Sequence, residues 1–190
     1  VAWDDKRDLA LVRLRSTAKV PYVARIMPPV EAREKLRIFT PAYAVGCGLG
    51  VPPLVTSGHL GGFDFTIDNY PFTLTTTPAI FGNSGGGLFH AESGEVIGIV
   101  ARISVAFAGL ASAPVSHMAW AIPTSTIKDF LDEQLYDFVY DPSVDKEARH
   151  KKREELQQRA AESALFGEEG PQMVTPVGEP YMDEVPYGPA

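Results

Sequence analysis

Apolar and polar positions alternate over short stretches through the first two thirds of the chain, and then the period changes. Residues 8–14, Asp8-Leu9-Ala10-Leu11-Val12-Arg13-Leu14, put leucines at 9, 11 and 14 and read as a half-buried strand opened by an acid. Region 36–45, with Arg37-Ile38-Phe39-Thr40, reads as a second strand, and Pro52-Pro53 marks a turn before a third over 54–58. Aromatic and polar residues alternate over 63–74 around Asp68-Asn69, which predicts a hairpin. Leu88-Phe89 and 96–103 pair around the turn Glu92-Ser93-Gly94-Glu95. The apolar region 96–121 is broken by Arg102, Pro114 and His117. It therefore predicts two strands joined by a small-residue loop at 106–116, not a membrane span. Short strands separated by turn signals predict an all-β barrel or sandwich.

Beyond Pro123 the pattern is helical. Ile127, Phe130, Leu131, Leu135 and Phe138 share one helix face, with Thr124 or Ser125 placed to cap it, and this stripe reads as core. Region 145–166 is rich in Glu, Lys, Arg, Gln and Ala, with Glu147/Lys151 and Glu155/Arg159 spaced i,i+4. It predicts an exposed charged helix ended by Gly167. Its basic cluster, Arg149-His150-Lys151-Lys152-Arg153, reads as a solvated face, with contact to a polyanion or partner as the alternative. The proline-rich acidic segment 168–190 predicts a disordered tail. The organisation that follows is a β domain over 1–140, an exposed helix over 141–167 and a tail over 168–190.

The formal net charge of −7 makes nucleic acid an unexpected partner. A single cysteine, Cys47, allows no disulfide within the chain, which points to a microbial, viral or intracellular protein. The four histidines and Cys47 show no metal-ligand spacing, and the glycine run lacks the lysine of a phosphate loop, so no metal or cofactor is expected.

The candidate chemistry lies in Gly82-Asn83-Ser84-Gly85-Gly86. A nucleophilic serine needs an open approach and backbone N–H groups aimed at the oxyanion that forms. Glycines give both tight turning and clear access. Taken alone the stretch reads more readily as a flexible glycine-rich turn between two strands. Together with Asp8-Leu9-Ala10-Leu11, with Glu95-Val96-Ile97-Gly98-Ile99-Val100 and with Trp120-Ala121-Ile122-Pro123, the order and spacing resemble the trypsin/chymotrypsin-like serine peptidases. Asn83, Val55-Thr56-Ser57-Gly58 and Ala121-Ile122-Pro123 bring the likeness closest to the HtrA type, over residues 4 to about 137.

That resemblance implies a trypsin-like double β-barrel, here the end of the first barrel and the second, followed by a C-terminal helix. It implies a serine endopeptidase with Ser84 as nucleophile and Asp8 as triad acid, and with the Gly82 and Ser84 amides as oxyanion hole. Pro78 and Ala79 would lie at the specificity pocket, and Ala101, Arg102 and Ile103 along the substrate-binding wall. The partner is then a peptide or protein substrate. With no Asp or Glu over 75–83, a small or medium apolar side chain is the expected preference. The family histidine precedes the aspartate by tens of residues, and only seven residues precede Asp8. The expectation is a fragment that begins inside the first barrel, with the histidine upstream of Val1 and no activity on its own. None of His59, His90, His117 or His150 reads as a replacement. The alternative is an inactive, protease-like module that binds peptides or proteins. The polar residues after Pro142 do not suffice for the PDZ domain common in HtrA-type proteins.

Overall fold

The computed structural model describes residues 2–15, 20–108 and 111–166; the segment expected to form a tail lies outside them. The chain opens with an antiparallel hairpin of β1 (Ala2–Asp4) and β2 (Leu9–Leu11), Ala2 opposite Leu11. The Asp4 carboxylate closes its turn by accepting from the amides of Lys6 and Arg7. The strand read over 8–14 is shorter than its pattern suggests. Asp8 sits in the turn at φ +56, and Val12 and Leu14 lie exposed beyond β2.

A helix, α1 (Pro29–Lys35), occupies a stretch for which the sequence pattern predicts no helix. Pro29 in the first turn and Glu31 before Arg33 and Lys35 suit its ends. Leu36 closes α1, and Phe39, at φ +72, turns the chain into β3 (Pro41–Gly46), so the strand expected over 36–45 begins late.

Six strands close an antiparallel barrel in the order β3-β4-β5-β8-β7-β6. They are β3, β4 (Leu54–Ile67), β5 (Tyr70–Thr75), β6 (Gly87–His90), β7 (Val96–Ala108) and β8 (Ala111–Pro123). β3 closes the ring by pairing with both β4 and β6. Two strands expected either side of Gly61-Gly62 are one bent strand. Register shifts between Leu60 and Phe65 hand it from β3 to β5. The loop expected at 106–116 is instead the end of a β7–β8 ribbon that pairs as far as Ala108 with Ala111.

Inside the barrel, Ala42, Ala44, Ala119 and Ala121 make room for Leu60, Leu88, Ile97 and Val100. A second apolar cluster lies on the outer wall. Ala2 and Leu9 of the hairpin meet Phe72, Ile122 and the face of α2 (Thr124–Glu133) formed by Ile127, Phe130 and Leu131. Pro123, in extended conformation, holds the cap position. Thr124 is the first helical residue and no side chain caps the helix, contrary to the expected Thr124 or Ser125 cap. Leu135, at φ +57, ends the helical run, so Phe138 reaches the cluster from a separate 3-10 turn, Asp137–Val139.

The last described element, α3 (Lys146–Phe166), starts at Asp145, whose carboxylate accepts from the amides of Glu147 and Ala148. The basic cluster divides. Arg149 pairs with Asp137, and Arg153 donates to the Leu135 carbonyl at 2.6 Å while its guanidinium stands 3.9 Å over the Tyr136 ring. His150, Lys151 and Lys152 stay exposed.

Candidate active site

Two consecutive tight turns shape the loop around Ser84. The Asn83 amide donates to the Ile80 carbonyl at 3.1 Å with Gly82 at φ +97, and the Gly86 amide donates to the Asn83 carbonyl at 2.9 Å with Gly85 at φ +83. A glycine with positive φ at the third position is the mark of a type II turn. The pair leaves Ser84 on an outer corner, exposed.

The loop is strapped to the barrel on both sides. The Leu49 amide donates to the Phe81 carbonyl at 2.8 Å, the Gly85 amide to Val100 at 2.8 Å and the Val100 amide to Gly86 at 2.8 Å. Gly82 and Gly86 lie where a Cβ would come within 2.7 Å of the Cys47 carbonyl and 2.4 Å of the Val45 carbonyl. Asn83 is buried, with its Oδ1 unpaired among the described residues, and packs against Gly46 and Gly48. Neither the Gly82 nor the Ser84 amide donates to a carbonyl among the described residues.

Ser84 Oγ donates to the Ala101 carbonyl at 3.1 Å. Ala101 is the extra residue of a bulge: Val100 faces Ala121 and Arg102 faces Trp120, leaving Ala101 without a partner on β8. The bulge directs the chain from the barrel wall towards the serine. β8 carries a larger bulge nearby, since Ile103 faces Ala119 while Ser104 faces Val115. The Ser116 carbonyl in that bulge accepts from the Ala79 amide at 2.6 Å, and the Pro78 carbonyl accepts from Thr56 Oγ1 at 2.8 Å. Ser116 and Thr56 therefore hold the Pro78-Ala79 segment, a role without a signal in residue type, because bulges follow from register. Ile103 packs against the barrel core. Arg102 is turned elsewhere, paired with Asp68 at 2.6 Å and standing over the Phe72 ring at 5.2 Å.

Asp8 lies exposed in the β1–β2 turn, with no hydrogen bond or ion pair to its side chain among the described residues. The structure records no contact between Asp8 and Ser84. No histidine bonds to either of them: His90 Nδ1 meets Ser93 Oγ at 2.9 Å, and His150 faces Glu154 at 3.9 Å. Among the described residues no group of three or more metal-ligating side chains forms, and no helix is long and apolar enough to cross a membrane.

The trypsin-like peptidase domain family matches residues 1–99, and the chain belongs to that family. Within it, the chain is 31% identical over 137 residues to the serine protease HTRA1 of Xenopus tropicalis and 29% identical to that of Xenopus laevis. Each alignment covers 68% of this chain and 26% of the relative, so the chain spans about a quarter of the length of these curated relatives. The resemblance to HtrA-type peptidases read from the sequence is thereby borne out. Among solved structures, the HtrA-type protease AlgW with a decapeptide aligns at TM-score 0.45 and 27% identity, covering 53% of this chain and 30% of that one. AlgW with a tripeptide aligns at TM-score 0.45 and 26% identity, covering 55% and 34%.

Proposed function

We propose that this chain carries the nucleophile and oxyanion hole of a serine endopeptidase. The observation that carries the reading is an exposed serine on a tightly strapped loop, with its own amide and that of Gly82 left unengaged among the described residues. Ser84 Oγ attacks the scissile carbonyl, and the negative charge that develops on the carbonyl oxygen is met by those two amides. A histidine N-terminal to Val1 in the complete protein takes the serine proton and returns it to the leaving amine, and Asp8 orients that histidine. Water then hydrolyses the acyl-enzyme.

The substrate backbone lies along Ala101 and Ile103, beyond the point where β6 leaves β7, as an added strand. Arg102 is engaged with Asp68 and Ile103 packs against the core, so this wall is built from the backbone of Ala101 and Ile103, and the Pro78-Ala79 segment carries no charge. The substrate class is a peptide with a small or medium apolar residue before the scissile bond.

The second reading is a peptide-binding domain without turnover, in which the Ser84 hydroxyl keeps its bond to the Ala101 carbonyl. The complete protein incubated with a peptide library separates the two. Cleavage after apolar residues, lost by roughly a thousandfold or more in Ser84→Ala with the fold retained, is the expected result. Turnover that survives Ser84→Ala, or cleavage after Lys or Arg, overturns the assignment of the nucleophile or of the pocket respectively.

A further inference from the structure

At the end of the barrel beside α1 lies a half-open cavity of about 400 Å³, within the size range of small-molecule sites. Leu36, Leu60, Phe63 and Ile97 give it an apolar lining. Two polar side chains stand apart from that lining. Thr73 is 7% exposed and Thr124 2% exposed, both line the cavity, and neither hydroxyl has a hydrogen-bond partner among the described residues. Thr75 and Thr77, which follow Thr73 along the chain, show the fully bonded alternative. Thr75 and Thr77 hydroxyls bond to each other at 3.0 Å, and Thr75 also donates to the His59 carbonyl at 3.1 Å. Neither the Thr73 nor the Thr124 hydroxyl oxygen is sealed from solvent, so both open on the cavity, where water or a ligand acceptor can bond them.

The charges around the cavity indicate which kind. α2 begins at Thr124 with no side-chain cap, so the positive end of its dipole opens on the same space. Arg33 stands at the cavity and pairs with no carboxylate among the described residues. Asp64, equally unpaired, balances it and keeps the entrance near neutral.

We propose that this cavity binds a short aliphatic carboxylate. The carboxylate accepts from the Thr73 hydroxyl on β5 and the Thr124 hydroxyl at the start of α2, and the alkyl chain lies on Leu36, Leu60 and Ile97. The site shares no residue with the Ser84 loop or with the proposed substrate wall, so it stands or falls independently of the peptidase reading.

Octanoate is the probe, with octanol as its uncharged counterpart, and the readout is amide chemical shift across the folded chain. The expected result is saturable shifts at Thr73, Thr124 and Ser125 with dissociation in about the millimolar range. Octanoate should bind more tightly than octanol. Thr124→Val, which keeps the shape and removes the hydroxyl, should weaken octanoate about tenfold, and Thr73→Val should repeat the effect from the barrel wall. Unchanged shifts far from the cavity establish that each variant is folded. An absence of saturable shifts means the space holds only solvent and overturns the proposal. Equal binding of octanol and octanoate, unaffected by either valine, means an apolar hole and also overturns it.

Discussion

Gly82 and Gly50 both have positive φ, +97 and +75, yet they should respond very differently to a methyl group. At Gly50 an added Cβ meets nothing within 4 Å, so Gly50→Ala carries only the left-handed backbone penalty, about 1 kcal/mol. At Gly82 the same atom would sit 2.7 Å from the Cys47 carbonyl and 2.8 Å from the Leu49 amide. Backbone must then move, and the cost rises to about 3 kcal/mol. Urea unfolding midpoints of the two variants check the difference, and equal midpoints would show that the Ser84 loop is not held against the Cys47–Leu49 corner. The glycines around Ser84 were legible from the sequence because the chemistry asks for them. Gly46 and Gly48 were not, since their reason is Asn83, which packs against both from 35 or more residues away.

Among the elements, α3 shows how a helix with few apolar residues can still be held to a domain. Arg149 and Arg153, one turn apart, grip the segment after α2 through Asp137, the Leu135 carbonyl and the Tyr136 ring. Asp137 is buried, so removing Arg149 leaves a carboxylate without its cation and costs about 1–3 kcal/mol. Arg149→Ala and Arg153→Ala are therefore expected to speed proteolysis within 146–166 strongly, whereas Lys151→Ala and Lys152→Ala, on the exposed side, should leave it unchanged. Equal sensitivity in all four would remove the docking role. The same region carries a pH dependence. Tyr140 donates its hydroxyl to the Asp132 carboxylate, which also holds Lys128. Burial first, and then that hydrogen bond, raise the Tyr140 hydroxyl above its ordinary value of 10.0. The folded chain keeps this proton at a pH where the unfolded chain has lost it. The contribution to stability is therefore complete below the ordinary tyrosine range and disappears as pH rises through the folded value. Ultraviolet titration of tyrosinate, with Tyr140→Phe to isolate its signal, should show that Asp132→Asn moves this ionisation down; no movement would mean that the Asp132 bond does not set it.

For the molecule as a whole, what could be read in advance and what could not divide along the range of the interactions. Alternation and turn residues reported the β class, the Asp68-Asn69 turn and the apolar face of α2, because each is fixed by neighbours a few positions apart. The unity of β4, the length of the β7–β8 ribbon and the bulge at Ala101 depend on which strand lies alongside, and nothing local encodes them. The candidate site inherits this division: Ser84 announces itself, while its placement beside Ala101 is a product of barrel closure. That dependence has a measurable consequence. The Gly85 and Val100 amides that fasten the Ser84 loop donate across the β7 junction, next to the fully buried Leu88 on β6. If the loop is ordered only because the barrel is closed, these amides exchange with solvent only when the barrel opens. Leu88→Ala, a truncation at 0% exposure, should cost about 3 kcal/mol and speed exchange at Gly85 and Val100 by about a hundredfold, in step with global stability. Amides of α3, held by its own arginines, should not follow by that factor. Exchange at Gly85 that ignores Leu88→Ala would mean the loop opens by itself, and its rigidity would then belong to the turns and not to the barrel.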